Sequence, residues 1–310
     1  YIGSVLVPKL ISRGYHVEVV DLLWFGNALP KEVKVSKKNI FDIKQDELND
    51  FDLVIFLGGL SNDPMAEYSP KDNFIYNAAA PAYLGYIAKN AKVKRFIYAD
   101  SCSVYGYTVN ELYDENSPAV CNYPYGISKL QGEYSVLQMV DDNFSVICLR
   151  QGTVSGYSPR MRFDLVVNTM FKTAVEKNEI MVNNPTIWRP ILGILDAASA
   201  YIRAVEASQE LSGVFNVASG NYTVGEIADL VKDKLEKKLN KKIKLRINNI
   251  QDFRNYKVSI EKAIKILSFK PVNNVPSIID DLICNMDKFK DFSNPNYYNI
   301  EVFKKLNGNI

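Results

Sequence analysis

Four short runs of β-branched, aromatic and aliphatic residues, at 16–21, 52–57, 95–99 and 144–149, alternate with longer stretches of helical periodicity at 2–13, 72–90 and 125–140. This alternation constrains the fold more than any other feature. Parallel strands need long crossovers, and a strand covered by helices on both faces reads as a nearly continuous apolar run. The expectation is an α/β chain with a doubly wound parallel sheet. Past Arg150 the pattern loosens into helices expected over 163–177, 197–207, 224–239, 260–267 and 275–289, with 214–217 returning to the sheet. The tail from about 292 to 310 is rich in Asn and Tyr and carries no assignable element.

Composition removes several classes of function. Lys plus Arg is 37 against 35 for Asp plus Glu, so a net charge of +2 offers no global field for nucleic acid. The densest basic run, Lys237-Lys-Leu-Asn-Lys-Lys-Ile-Lys244, reads as a solvated helix end and the strand after it. No apolar run approaches the roughly 18 residues a membrane span needs. Cys102, Cys121, Cys148 and Cys284 show no C-x-x-C spacing and His16 is the single histidine, which argues against a metal site or a Ser-His-Asp triad. Scattered thiols suit a reducing, cytoplasmic location. Acid–base chemistry must then use another group, and tyrosine and lysine remain.

In Asn122-Tyr-Pro-Tyr-Gly-Ile-Ser-Lys129, Pro124 pre-sets the first turn of a helix, so Tyr125 and Lys129 lie one turn apart on one face. Taken alone, the pair is weak evidence and reads first as a half-buried tyrosine beside a solvated lysine. Asp21 ends the second expected strand, where an acid can accept hydrogen bonds from an adenosine ribose, and no Arg follows it directly, which favours NAD over NADP. The opening Tyr1-Ile-Gly-Ser-Val-Leu-Val7 reads as the end of a glycine turn running into a helix, with Gly3 as the last glycine. A first strand and most of a Gly-rich loop, roughly ten residues, are therefore expected upstream.

These features, together with Asp42-Ile43, Leu57-Gly-Gly59, Asn77, Ala99-Asp-Ser-Cys-Ser-Val-Tyr-Gly106, Arg150 and Trp188-Arg-Pro with Asp196, make the chain resemble the extended short-chain dehydrogenase/reductases of the NAD-dependent epimerase/dehydratase family. The resemblance covers nearly the whole chain. It implies a Rossmann dinucleotide-binding domain over 1–157, rejoined by 190–218. A smaller, discontinuous substrate domain would be made of 158–189 and 219–310. It implies that Gly3, Asp21, Asp42, Ile43, Leu57, Gly58, Gly59 and Asn77 serve NAD, with Tyr125 and Lys129. Ser101, Tyr125 and Lys129 would be catalytic: Tyr125 takes a sugar hydroxyl proton as hydride leaves that carbon, Lys129 lowers the tyrosine's pKa and holds the nicotinamide ribose, and Ser101 steadies the substrate oxygen. Cys102, Ser103, Arg160, Arg162, Arg189 and Arg254 would meet a nucleotide-diphosphate sugar, arginine suiting bidentate phosphate contact.

Where relatives that eliminate water carry Asp-Glu after the serine or threonine, this chain has Cys102-Ser103, which disfavours 4,6-dehydration. The leading expectation is a nucleotide-sugar 4-epimerase acting by transient oxidation at carbon 4. Its rivals are a one-way 4-dehydrogenase or keto-sugar reductase, and a non-catalytic NAD-binding protein of the same fold. The resemblance further implies that helices 72–90 and 125–140 pair across a two-fold axis in a homodimer.

Overall fold

A computed structural model describes residues 1–250 and 254–308, with backbone alone at 109 and 110. The first half runs α1 (Gly3–Ile11), β1 (Glu18–Asp21), β2 (Lys34–Lys37), β3 (Leu53–Phe56), α2 (Asp63–Tyr68), α3 (Pro70–Phe74), a π-helical turn (Ile75–Ala79), α4 (Ala80–Asn90), β4 (Arg95–Ser101), β5 (Tyr107–Tyr113), α5 (Pro124–Leu137) and β6 (Ser145–Gln151). The second half continues as β7 (Thr153–Ser155), α6 (Val166–Lys177), β8 (Glu179–Asn183), β9 (Trp188–Gly193), α7 (Ile194–Glu206), β10 (Gly213–Val217), β11 (Gly220–Thr223) and α8 (Val224–Leu239). It closes with β12 (Lys244–Asn248), β13 (Asn255–Val258), α9 (Glu261–Leu267), α10 (Val275–Asn285) and α11 (Asn299–Leu306).

The alternation read from the sequence becomes a parallel sheet in the order β10-β6-β4-β3, so the late strand does return to it. Its apolar continuity has a simple cause. Along β4 and β6, Ile97, Ala99, Ile147 and Leu149 face one core with α1 and α7, while Phe96, Tyr98, Val146 and Cys148 face another with α4 and α5. Each such large side chain, fully buried, contributes on the order of 1.5–3 kcal/mol. A second parallel pair, β1 with β2, is hydrogen-bonded separately, and a deep cleft runs between β1 and β3.

Local chemistry sets the helix starts that matter. Pro124 occupies the first turn of α5 as its fixed φ favours. Thr223 and Glu226 cap α8 reciprocally, each side chain bonding the other's backbone N–H. The single helix expected over 72–90 is instead broken into α3, the π turn and α4, and the break carries Asn77. Such π turns cluster at functional sites.

The second core lies under α6, α8 and α10, with Phe163, Phe171, Phe289 and Phe292 in mutual ring contact. The tail that could not be placed from sequence is structured. Phe303 of α11 is buried among Leu60, Met65, Trp24 and Tyr68, and Asn299 donates to the Ser61 hydroxyl at 2.6 Å while accepting from Arg160.

Candidate active site

The cleft opens at the carboxyl ends of the parallel strands, where open α/β sheets bind ligands. At about 1380 Å³ it exceeds the ~1,000 Å³ upper end of a single small-molecule site, and it continues between β1 and β3 as far as Gln209. Gly3, Asp21, Ile43, Leu57, Gly58 and Gly59 line it together. Asp21 stands at the end of β1, where its Oδ1 accepts from the Leu23 N–H at 2.6 Å and fixes the turn beyond. Asp42 is exposed and lies off the lining, so of the Asp42-Ile43 pair only Ile43 reaches the cleft wall. Gly59 has φ +114°, and a Cβ there would collide with the Asn77 Oδ1. That position therefore needs glycine.

Asn77 is fully buried behind this turn and does not itself line the cleft. Its amide donates to the Leu60 carbonyl at 2.9 Å and to the Ser128 hydroxyl at 3.2 Å, tying the Leu57–Leu60 turn to the helix that carries Tyr125 and Lys129. The Tyr98 hydroxyl donates to the Asn77 carbonyl at 2.9 Å. Gly132 of α5 permits this close approach, since a Cβ would strike both groups.

Ser101 at the end of β4, and Tyr125 and Lys129 on α5, all line the cleft. The Tyr125 phenol is pushed up, by burial first and by the Asp63 carboxylate second, while Arg162 and a hydrogen bond with Ser101 pull it back. The cation acting on the phenol is Arg162. Burial lowers Lys129 from 10.5 to about 8, and its Nζ donates to the Ala99 carbonyl at 2.6 Å, 4.7 Å from the centre of the Tyr98 ring.

Of the expected substrate contacts, Cys102 lies off the cleft lining. Its thiol is fully buried and donates to the Arg150 carbonyl, because the turn after Ser101 points residue 102 into the core and residue 103 to the cleft. Ser103, Arg160, Arg162, Arg189 and Arg254 line the cleft. Arg162 forms a two-point pair with Asp164, at 2.8 and 2.9 Å, and Arg160 stacks on Phe25. Burial, then Arg162, lowers Arg160 to about 9. Arg189 donates to the Trp188 and Arg254 carbonyls, and Arg254 donates to Asp63 at 2.7 Å. Residues 252 and 253 of the motif around Arg254 lie outside the described residues.

Two features escaped the sequence reading. Asp63 brings a carboxylate to the cleft from the first turn of α2, a segment unrelated to Cys102-Ser103. Beneath Ser101, Arg150 makes a bidentate bond to Glu133 at 2.7 Å on each arm and donates to Tyr105 at 2.9 Å, with Asp100 at 3.6 Å. Burial, then Glu133, raises the Asp100 carboxyl well above its ordinary range. No group of three or more His, Cys, Asp or Glu able to hold a metal occurs among the described residues.

The sequence profile of the NAD dependent epimerase/dehydratase family matches residues 1–218. The chain belongs to that family. Within it, this member is 26% identical to the UDP-glucose 4-epimerase of Dictyostelium discoideum, over 96% of this chain and 95% of that one. It is 24% identical to the Arabidopsis thaliana protein named probable UDP-arabinose 4-epimerase 3, where the match spans 71% of this chain and only 62% of that relative's length. The structure superposes on MoeE5 in complex with UDP-glucose and NAD with a TM-score of 0.82 at 21% identity, covering 93% of this chain and 96% of that one. MoeE5 has also been solved with UDP-glucuronic acid and NAD. As a family member the chain is an NAD-dependent epimerase or oxidoreductase in class, with the Rossmann arrangement read from its strands.

Proposed function

We propose that this family member is an NAD-dependent nucleotide-sugar 4-epimerase. The observation that carries the reading is the convergence of Ser101, Tyr125 and Lys129 on one cleft whose far end holds Asp21. The residues fit NAD: the glycine turn at 57–59 leaves room for close backbone approach, and the Asp21 carboxylate repels a 2′-phosphate. When bound, NAD would accept hydride from carbon 4 of the sugar. Tyr125 takes the proton of the adjoining hydroxyl and later returns it, Ser101 holds that oxygen, and Lys129 meets the nicotinamide ribose. Tyr125 starts from a raised pKa, so the positive nicotinamide ring, Lys129 and Arg162 would ease its ionisation.

Arg189, Arg254, Arg160 and Arg162, all on the cleft wall, would meet the diphosphate, and Arg254 would exchange Asp63 for it. Residues 158–189 and 219–310 act as the substrate domain, supported by the separate core under α6, α8 and α10. Tyr86 and Tyr134, 61% and 59% exposed on α4 and α5, support pairing of those helices in a homodimer. The four cysteines are free thiols, which supports a cytoplasmic setting. The deciding experiment supplies UDP- and GDP-hexoses without external oxidant and follows isomers by chromatography. Interconversion is expected; stoichiometric NADH formation, or a need for an external electron acceptor, would assign a one-way dehydrogenase instead.

A further inference from the structure

Gln151 belongs to no motif, yet its position is unusual. It ends β6 as the register partner of Ser101 on β4, one strand spacing or about 4.8 Å away, and both line the cleft. Its Nε2 donates to the Asp100 carbonyl at 3.3 Å. A carbonyl cannot donate, so the NH2 must face Asp100 and the Oε1 must turn away from it. That oxygen is buried and has no hydrogen-bond partner, on a residue only 9% exposed. The Ser103 hydroxyl, on a residue 5% exposed and also on the cleft wall, is likewise buried without a partner. Two orphaned polar atoms flank the catalytic serine.

A buried acceptor left without a donor is destabilising, and such atoms are rare unless a ligand completes them. We propose that Gln151 is a specificity-determining residue whose Oε1, beside Ser103, accepts a hydrogen bond from a neutral hydroxyl on the sugar next to the reacting carbon. The site thereby selects an uncharged hexose over one bearing a carboxylate. A carboxylate at that place would set lone pairs against the Gln151 oxygen. Of the cations on the cleft wall, Arg162 is paired with Asp164 and Lys129 donates to the Ala99 carbonyl, while Arg160 bonds Asn299 and Arg189 bonds the Trp188 and Arg254 carbonyls. This inference rests on the nucleotide-sugar reading above and deepens it.

The test measures binding, independently of turnover. NAD-loaded wild type, Gln151→Met and Gln151→Asn are titrated calorimetrically with UDP-glucose and UDP-glucuronic acid, and NAD affinity is measured separately. Wild type is expected to prefer UDP-glucose. Gln151→Met, which keeps the bulk and removes the acceptor, is expected to weaken UDP-glucose about tenfold to a hundredfold while NAD affinity holds. If Gln151→Met does not fold, as judged by its melting curve, Gln151→Asn withdraws the oxygen by one methylene and should show the same loss. An unchanged sugar preference in the folded variant, or a loss confined to NAD, overturns the proposal. Selective binding that depends on Gln151 without isomer interconversion would uphold it and sink the epimerase reading; no binding of either sugar by wild type sinks both.

Discussion

Arg254 donates to the Asp63 carboxylate at 2.7 Å, joining the segment before β13 to the first turn of α2 across the cleft. Asp63 also raises the Tyr125 phenol, second only to burial. Replacing Asp63 with Asn removes a negative charge near the phenol, so its pKa falls. Where the phenolate is the reactive form, the rising limb of kcat/KM against pH should move toward lower pH. A limb that stays in place would show that Asp63 has no hold on the proton carrier.

Tyr125→Phe removes the hydroxyl and little else. Turnover should drop by about 10²–10⁴-fold, the range of a positioned acid–base group. Calorimetric affinities for NAD and for the nucleotide sugar should stay within a few fold. Retained turnover would assign the proton transfer elsewhere.

Lys129 gives a stability signature opposite in sign to its catalytic one. Its folded pKa of about 8 lies below its ordinary 10.5, so the unfolded chain binds more protons between those values. The charged amine therefore costs stability in full below pH 8, and that cost is relieved as pH rises from 8 to 10.5. Lys129→Met should abolish turnover, raise Tm by a few degrees at pH 7, and flatten the upward trend of stability above pH 8. Differential scanning calorimetry over this pH series checks it.

Glu133→Leu strands the Arg150 guanidinium in the core and should cost about 3–5 kcal/mol in urea unfolding. The double replacement Glu133→Leu with Arg150→Met should recover most of that, since it removes both charges. Additive losses would mean that the pair is not the unit that matters.

The sequence made the parallel sheet legible because β4 and β6 are apolar on both faces, leaving helices as the only workable cover. It hid β2, whose Lys34-Val-Ser-Lys37 shows one β-branched residue on a thin outer pair. It hid α11 as well, since Ile300, Val302 and Phe303 sit inside an Asn- and Tyr-rich tail whose apolar spacing is too brief to register. At the site, Tyr125 and Lys129 were readable as neighbours on a helix. Asp63 and Gln151 were not, because Asp63-Pro64 reads as any helix start and Gln151 as the last residue of a buried strand. Their meaning comes only from what the fold sets beside them. The same limit explains Cys102 and Lys129, whose orientations depend on carbonyl partners that no motif names.

The anchoring of Phe303 against Trp24, with Asn299 reaching Ser61, closes a span of 238 residues between the bonded pair. Ordering so long a span costs chain entropy before the contact returns anything. The seam between α11 and the Trp24–Leu60 wall is therefore expected to join late in folding and to be among the first contacts to open under denaturant.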